Sequence, residues 1–280
     1  MSLSNFLSLS VLLTGLAPRA AFAADMNSAS GVARTSLYWD CCKASCSWAD
    51  HGSFVGNPVQ VCAINGTRLT DYNLGTGCSD GESFACQDQI PWAVNDTFSY
   101  GFVGAYINGF LERTWCCGCY EFEFTDGPVK GKKMVVQSSN SNYDAVGYSQ
   151  FNLGIPGGYD YASACAKQFG PAEIFGKENN GVLTRDQCDL LPDTLKPGCY
   201  WRFDWFMDAQ KPNVTWKRVP CPSELTDISG CVRADEAQFI ATAETNDTVA
   251  PPPSAASTVG SLSAFYTFAL AAVLGVLVSL

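Results

Sequence analysis

Alternation of apolar and polar positions predicts β-strands in the middle of the chain. In residues 120–124, phenylalanines share one face of an extended segment and glutamates share the other. An Asp-Gly-Pro turn signal follows at residues 126–128, and the apolar run 134–136 predicts a short buried strand. This part of the chain therefore indicates antiparallel strands joined by a tight turn.

The pattern also predicts two elements further along. Residues 200–206 alternate, with three aromatic side chains on one face, which predicts another strand. Residues 184–191 predict a short helix that begins after Thr184 as its N-cap. The fold class expected from these patterns is mostly β, with short helices and long loops.

Both ends of the chain differ from the middle. Residues 1–23 contain an apolar core and end in Ala-Phe-Ala, which predicts a secretory signal peptide. Residues 24–236 are interpreted as one domain, and 237–261 as a linker or stalk rich in Ser, Thr, Pro and Ala. Residues 262–280 are hydrophobic and uncharged, which favours a GPI-attachment signal over a single-pass anchor. We expect a secreted protein, GPI-anchored to the outer face of the plasma membrane or to the cell wall.

Fourteen cysteines in 280 residues indicate a disulfide framework formed in an oxidising compartment. The spacing lacks the paired C-x-x-C pattern of zinc ribbons, and His51 is the single histidine. We therefore expect no metal site and no cofactor. The cysteines expected to form disulfides are Cys41, Cys42, Cys46, Cys62, Cys78, Cys86, Cys116, Cys117, Cys119, Cys165, Cys188, Cys199, Cys221 and Cys231.

The net charge of −10 argues against a nucleic-acid partner, because a basic surface supplies most of that affinity. Four N-x-Thr sequons mark candidate glycosylation sites at Asn65, Asn95, Asn213 and Asn246. Aromatic residues make up 12% of the chain, and exposed aromatic rings stack on sugar rings. The composition therefore suits a monomeric surface glycoprotein that binds carbohydrate.

Five segments carry a recognisable order of motifs. They are residues 35–48 (TSLYWDCCKASCSW), 115–121 (WCCGCYE), 131–138 (GKKMVVQS), 155–158 (IPGG) and 196–206 (KPGCYWRFDWF). Together they resemble the signature segments of glycoside hydrolase family 45, the compact fungal endoglucanases. The resemblance covers nearly all of the predicted domain.

The resemblance implies a six-stranded double-psi β-barrel with a long open groove. It also implies hydrolysis of internal β-1,4-glucosidic bonds of cellulose or a related β-glucan, with inversion. Asp40 falls on the general base of the family. Tyr38, Trp48 and Lys43 fall on positions associated with substrate binding.

One departure bears directly on catalysis. The family carries its general acid as an aspartate shortly before the IPGG segment, whereas this chain has Asn152 there. Gln150 replaces a common histidine, and Leu37 replaces a common arginine. An amide has no acidic proton, and general acid catalysis contributes about 10²–10⁴-fold. Asp144, in the preceding loop, is the first candidate for a substitute acid, and Asp160 is the second.

Three functions remain open at this point. The first is a cell-surface endoglucanase with slow or impaired hydrolysis. The second is a catalytically silent protein that binds β-glucan through the groove. The third is an expansin-like protein that loosens the wall without releasing reducing ends.

Overall fold

The computed structural model describes Met26 and residues 29–158, 160–170, 175–176 and 181–239. Within these residues, short strands and a few short helices alternate. The strands are β1 (Ser30–Asp40), β2 (Phe54–Val55), β3 (Val61–Cys62), β4 (Phe84–Ala85), β5 (Trp92–Ala93), β6 (Phe98–Tyr106), β7 (Cys119–Phe124), β8 (Lys133–Ser141), β9 (Gln150–Gly154), β10 (Asp160–Tyr161), β11 (Asn213–Val219) and β12 (Val232–Arg233). The helices are α1 (Glu112–Trp115), α2 (Ala162–Phe169), α3 (Lys196–Asp204) and α4 (Ser223–Ser229).

Six strands close into a barrel in the order β1-β11-β7-β8-β6-β9, and β9 returns to β1. The β1–β9 and β6–β8 pairs are parallel, and the other four pairs are antiparallel. A closed barrel has no free edges along its wall, so its ladder hydrogen bonds are satisfied internally. The predicted mostly-β, six-stranded barrel is confirmed.

Aromatic side chains fill the barrel. Phe151 of β9 packs against Phe122 at 4.7 Å, Tyr120 at 5.4 Å and Trp216 at 5.6 Å between ring centroids. The alternation predicted for residues 120–124 is present, since the phenylalanines are buried and Glu123 is exposed. The core therefore lies inside the barrel, and the polar positions of β7 face outward.

One predicted element is wrong. Residues 200–206, expected to be a strand, lie mostly in α3. Pro197 occupies the first turn of this helix, where its missing N–H costs nothing. Trp201 and Trp205 are four residues apart and stack at 5.2 Å, which is a helical pairing. By contrast, residues 185–190 form the expected helical turn, of 3-10 type, with a capping box at Thr184.

The fourteen cysteines form seven disulfides, which agrees with the sequence prediction. Several bridges close loops of about a hundred residues, which lowers the entropy of the unfolded chain. The pairs are Cys41–Cys165, Cys42–Cys78, Cys46–Cys116, Cys62–Cys86, Cys117–Cys231, Cys119–Cys221 and Cys188–Cys199.

The predicted signal peptide and GPI signal lie outside the described residues, as does most of the predicted linker. In the described part of the chain, no helix is long and apolar enough to cross a bilayer. Phe239, beyond the predicted domain end at residue 236, is buried and packs under Arg218 at 4.7 Å.

Candidate active site

The candidate site lies where β1 and β9 run side by side. Ser36, Tyr38 and Asp40 share the partly exposed face of β1, and the intervening side chains are buried. The parallel register pairs Ser36 with Asn152 and Tyr38 with Gly154. Strand alternation thus brings the predicted base and the altered acid position onto the same face of one pair of strands.

Tyr38 lies across the neighbouring strands because glycines leave room for its ring. A Cβ atom at Gly104 or Gly154 would lie 3.6 Å from that ring. Burial raises the pKa of Tyr38 well above its usual range, as does the negative charge of Asp40, while a hydrogen bond with Asn140 opposes the shift. The Tyr38 phenol is therefore uncharged, and its ring forms one side of the site.

Asp40 is a largely buried carboxyl group at the end of β1. Its Oδ1 accepts a hydrogen bond from the backbone N–H of Cys42 at 2.9 Å. A carboxylate oxygen lies within 4.8 Å of the sulfur atoms of the Cys42–Cys78 disulfide, which offers no solvation. Burial raises the pKa of Asp40, and the Cys42 hydrogen bond partly offsets this. Asp40 is thus a stronger base than a solvated aspartate.

A cavity of about 190 Å³ opens beside Asp40. Two of the side chains that line it carry carboxyl groups, namely Asp40 and Asp144. Apart from Gly104, the remainder are polar or aromatic, which suits a hydroxyl-rich ligand. The lining residues are Tyr38, Asp40, Gly104, Asn140, Ser141, Asn142, Tyr143, Asp144 and Asn152.

Asn152 lies at the centre of a hydrogen-bond network. Its Oδ1 accepts from the Ser36 hydroxyl at 2.5 Å, from Gln150 Nε2 at 2.7 Å and from Asn142 Nδ2 at 3.2 Å. Because Oδ1 is taken by these donors, the NH₂ group is the part of the Asn152 amide that is left to donate a hydrogen bond. Asn152 can therefore donate a hydrogen bond to a sugar oxygen but cannot transfer a proton near neutral pH.

Asn142 connects the Asn152 position to Asp144. Its Nδ2 donates to Asn152, and its Oδ1 accepts from the backbone N–H of Asp144 at 3.1 Å. This second contact fixes which end of the Asn142 amide faces Asn152. Asp144 is exposed and lines the cavity. The side chain of the other candidate acid, Asp160, lies outside the described part of the structure.

Lys43 and Trp48 form a separate cluster. The Lys43 ammonium donates to the carbonyls of Tyr72 at 2.5 Å and Leu74 at 3.1 Å. The same group lies 3.3 Å from the centre of the Trp48 ring. Lys43 is buried, and burial lowers its pKa. The ammonium thus holds the loop of residues 72–74, and Trp48 remains partly exposed above it.

The acidic and sulfur groups around Asp40 do not form a metal site of the ordinary kind. Asp40, Cys42 and Cys78 place ligand-type atoms within 4.8 Å of one another. Both sulfurs, however, belong to one disulfide and have no thiolate to offer a cation.

Three of the four sequons lie in the described part of the structure. Asn65, Asn95 and Asn213 are exposed, which suits glycosylation. Asn246 lies outside the described residues.

Sequence reasoning missed the uncharged members of the site. Ser36 and Asn142 hold the Asn152 amide, and Asn140 contacts the Tyr38 hydroxyl. Asn140 reaches this place after a break in register, where β6 and β8 shift by one residue beside Gly104. A polar run at the end of a strand, as in residues 138–142, is the signal that could have pointed to Asn140 and Asn142.

Comparison with known proteins places the chain in one family. The profile of Glycosyl hydrolase family 45 matches residues 30–232. "Endoglucanase" of Cryptopygus antarcticus is 42% identical over 78% of this chain and 96% of its own length. "Putative endoglucanase type K" of Fusarium oxysporum is 44% identical over 82% of this chain, which spans 61% of that protein.

A solved structure also supports the match to this family. The crystal structure of the cellulase from the Antarctic springtail Cryptopygus antarcticus matches with a TM-score of 0.70 and 41% identity. The match covers 74% of this chain and 99% of that one. On the strength of the barrel, the motif order and these matches, the chain belongs to glycosyl hydrolase family 45.

Proposed function

We propose that the protein is a cell-surface endo-β-1,4-glucanase that hydrolyses cellulose or a related β-glucan with inversion, slowly because its acid position is altered. One observation carries the proposal. The carboxyl groups of Asp40 and Asp144 line the same polar cavity, and Asn142 ties the Asp144 backbone to Asn152.

Asp40 acts as the general base. Burial raises the pKa of Asp40, which strengthens its ionised form as a proton acceptor. A second cavity of about 20 Å³, lined in part by Asp40, Gln89 and Asn140, lies beside it and has space for about one water molecule. Asp40 therefore has both the basicity and the space needed to activate water.

The spacing of the two strand positions favours inversion. Asp40 lies four residues beyond Ser36, the register partner of Asn152, which corresponds to about 13 Å along the strand. This separation is well beyond the 5–5.5 Å between the two carboxyl groups of a retaining enzyme. This gap leaves room for a water molecule between the base and the sugar.

Asp144 supplies the proton that Asn152 cannot. It lies two residues from Asn142 in the loop between β8 and β9, so its carboxyl can approach a glycosidic oxygen held beside Asn152. An exposed loop residue orients its proton less well than a strand residue does. Slow turnover follows, because the Asp144 carboxyl is held less firmly beside the glycosidic oxygen.

A β-glucan-binding protein without hydrolysis is the second candidate. Asn152 favours it, because an amide that lines the cavity can still donate a hydrogen bond to a sugar. Tyr38, Trp48 and the polar cavity would then serve binding alone.

The location at the cell surface is part of the proposal. Seven disulfides support folding in an oxidising compartment. Phospholipase treatment of intact cells should release the protein if it is GPI-anchored, and a protein that stays bound would favour a spanning anchor.

The deciding experiment measures reducing ends released from barley β-glucan and carboxymethylcellulose by the purified protein. We expect slow release by the native protein, and a loss of about 10²–10⁴-fold in Asp40→Asn and in Asp144→Asn. Asp227→Asn is the matched control, since it removes the same charge from an exposed site on α4 outside the cavity.

The outcomes separate the candidates. Unchanged hydrolysis in Asp40→Asn would show that Asp40 is not the base. Binding without release by the native protein would favour the second candidate. Loss of wall stiffness without new reducing ends would favour the expansin-like alternative.

A further inference from the structure

Tyr143 presents an exposed aromatic ring at the rim of the Asp40 cavity. Its side chain lines that cavity, and the residue is 67% exposed. Its hydroxyl donates to Glu112 Oε1 at 2.7 Å. The Tyr143 ring is therefore exposed to solvent, while the hydrogen bond of its hydroxyl group restricts its movement.

Glu112 is itself firmly placed at the start of α1. The Ser141 hydroxyl donates to the same Oε1 at 2.6 Å, and His51 Nδ1 lies 3.3 Å from Oε2. The Trp115 indole donates to Ser141 in turn at 3.1 Å. Burial of the hydroxyl and the contact with Glu112 raise the pKa of Tyr143 to about 12, so the phenol stays protonated. The ring is thus fixed by its loop and by its hydroxyl.

Much of Tyr143 is exposed to solvent. Within the described residues, no aromatic ring and no cation packs over it. Tyr148, on the same loop, differs, because the Arg34 guanidinium covers its ring at 4.3 Å. A rigid, exposed aromatic ring beside a polar cavity suits a pyranose. The apolar C–H face of the sugar can stack on the ring, and the hydroxyls of the sugar can bond to polar groups.

We infer that Tyr143 is a sugar-binding residue on whose exposed face a glucose unit of the β-glucan chain stacks, next to the unit held in the cavity. The inference rests on the proposed function. Glu112 is a positioning residue that acts through the Tyr143 hydroxyl.

The test measures the affinity of the purified protein for cellohexaose by titration calorimetry, and KM and kcat on barley β-glucan. Tyr143→Ala should weaken binding about tenfold, the change that corresponds to about 55 Å² of apolar surface left in water. KM should rise while kcat changes less than about twofold, because the ring does not touch the reacting bond. Tyr143→Phe keeps the ring and should lose about threefold or less, through the missing hydrogen bond to Glu112.

Tyr148→Ala is the matched control, and it should bind as the native protein does. Native-like binding by Tyr143→Ala would overturn the inference and leave the proposed function standing. Equal losses in Tyr143→Ala and Tyr148→Ala would also overturn it, because they would point to a general disturbance of the loop. Absence of any binding by the native protein would instead overturn the proposed function.

Discussion

The two ends of the cavity beside Asp40 are built in opposite ways. At one end, Asp40 is a carboxyl pressed against the Cys42–Cys78 disulfide with a single backbone donor. At the other end, Asn152 is a neutral amide whose oxygen accepts from three side chains. The surroundings of Asp40 disfavour a negative charge. The surroundings of Asn152 favour a hydrogen-bond acceptor such as the amide oxygen.

This difference explains what each position can do. Burial makes Asp40 a better base, which suits the removal of a proton from water. Three converging donors would stabilise the ionised form of an aspartate at position 152 and so weaken it as an acid. The surroundings of Asn152 are therefore matched to the amide, and in the proposed mechanism Asp144 of the adjoining loop donates the proton.

The largest effect is expected from Asn152→Asp, which places a carboxyl group where the sequence resemblance predicts the general acid of the family. We predict a rise of about 10²-fold in kcat on barley β-glucan. The optimum should move to lower pH, because the three donors hold the pKa of the new carboxyl down and it must be protonated to act. Rates measured across pH check both points.

Asn108→Asp is the control for this variant, since it adds the same charge on an exposed loop outside the cavity. It should leave the rate unchanged. A folded Asn152→Asp protein without any gain would show that position 152 does not face the glycosidic oxygen.

Lys43→Met tests how firmly the Asp40 end is anchored. The variant removes a buried ammonium that donates to two backbone carbonyls and contacts Trp48. Hydrogen bonds to a charged group contribute about 1.5–3 kcal/mol, so the free energy of unfolding should fall by about 2 kcal/mol. Denaturant titration measures this. Unchanged stability would mean that the ammonium contributes nothing to holding the loop of residues 72–74.

Asn142→Ala tests the link between the two candidate acid positions. Without the amide, Asp144 loses the contact that holds its backbone beside Asn152, and kcat should fall about tenfold. In an Asp144→Asn background the same change should have little further effect, since the two residues act as a unit. Equal effects in both backgrounds would show that Asn142 acts on substrate independently of Asp144.

The sequence predicts the parts of this molecule that follow from regular patterns. The β7 alternation is confirmed because one face of that strand packs on the core and the other faces water. The α3 prediction is wrong because its aromatic residues fit a period of two as well as the four-residue spacing of Trp201 and Trp205. Ser36 could not be found, because its role depends on which strands the barrel brings together.

The smallest effect concerns stability at the Asp40 end. Because burial raises the pKa of Asp40 in the folded protein, the ionised form opposes folding once the pH rises above the ordinary pKa of a carboxyl. Asp40→Asn removes that charge and keeps an oxygen to accept from Cys42. We predict a melting temperature about 2–4 °C higher at pH 7, the shift that 1 kcal/mol gives in a domain of this size.

The pH dependence distinguishes charge from packing in this last variant. Below the ordinary carboxyl pKa, Asp40 is protonated in both the folded and unfolded chain, so the advantage of Asp40→Asn should vanish there. Calorimetric melting between pH 3 and 7 measures the difference. A gain in melting temperature that persists at pH 3 would mean that the amide packs better than the carboxyl group. Burial of a charge at Asp40 would then not explain the difference between the two ends of the cavity.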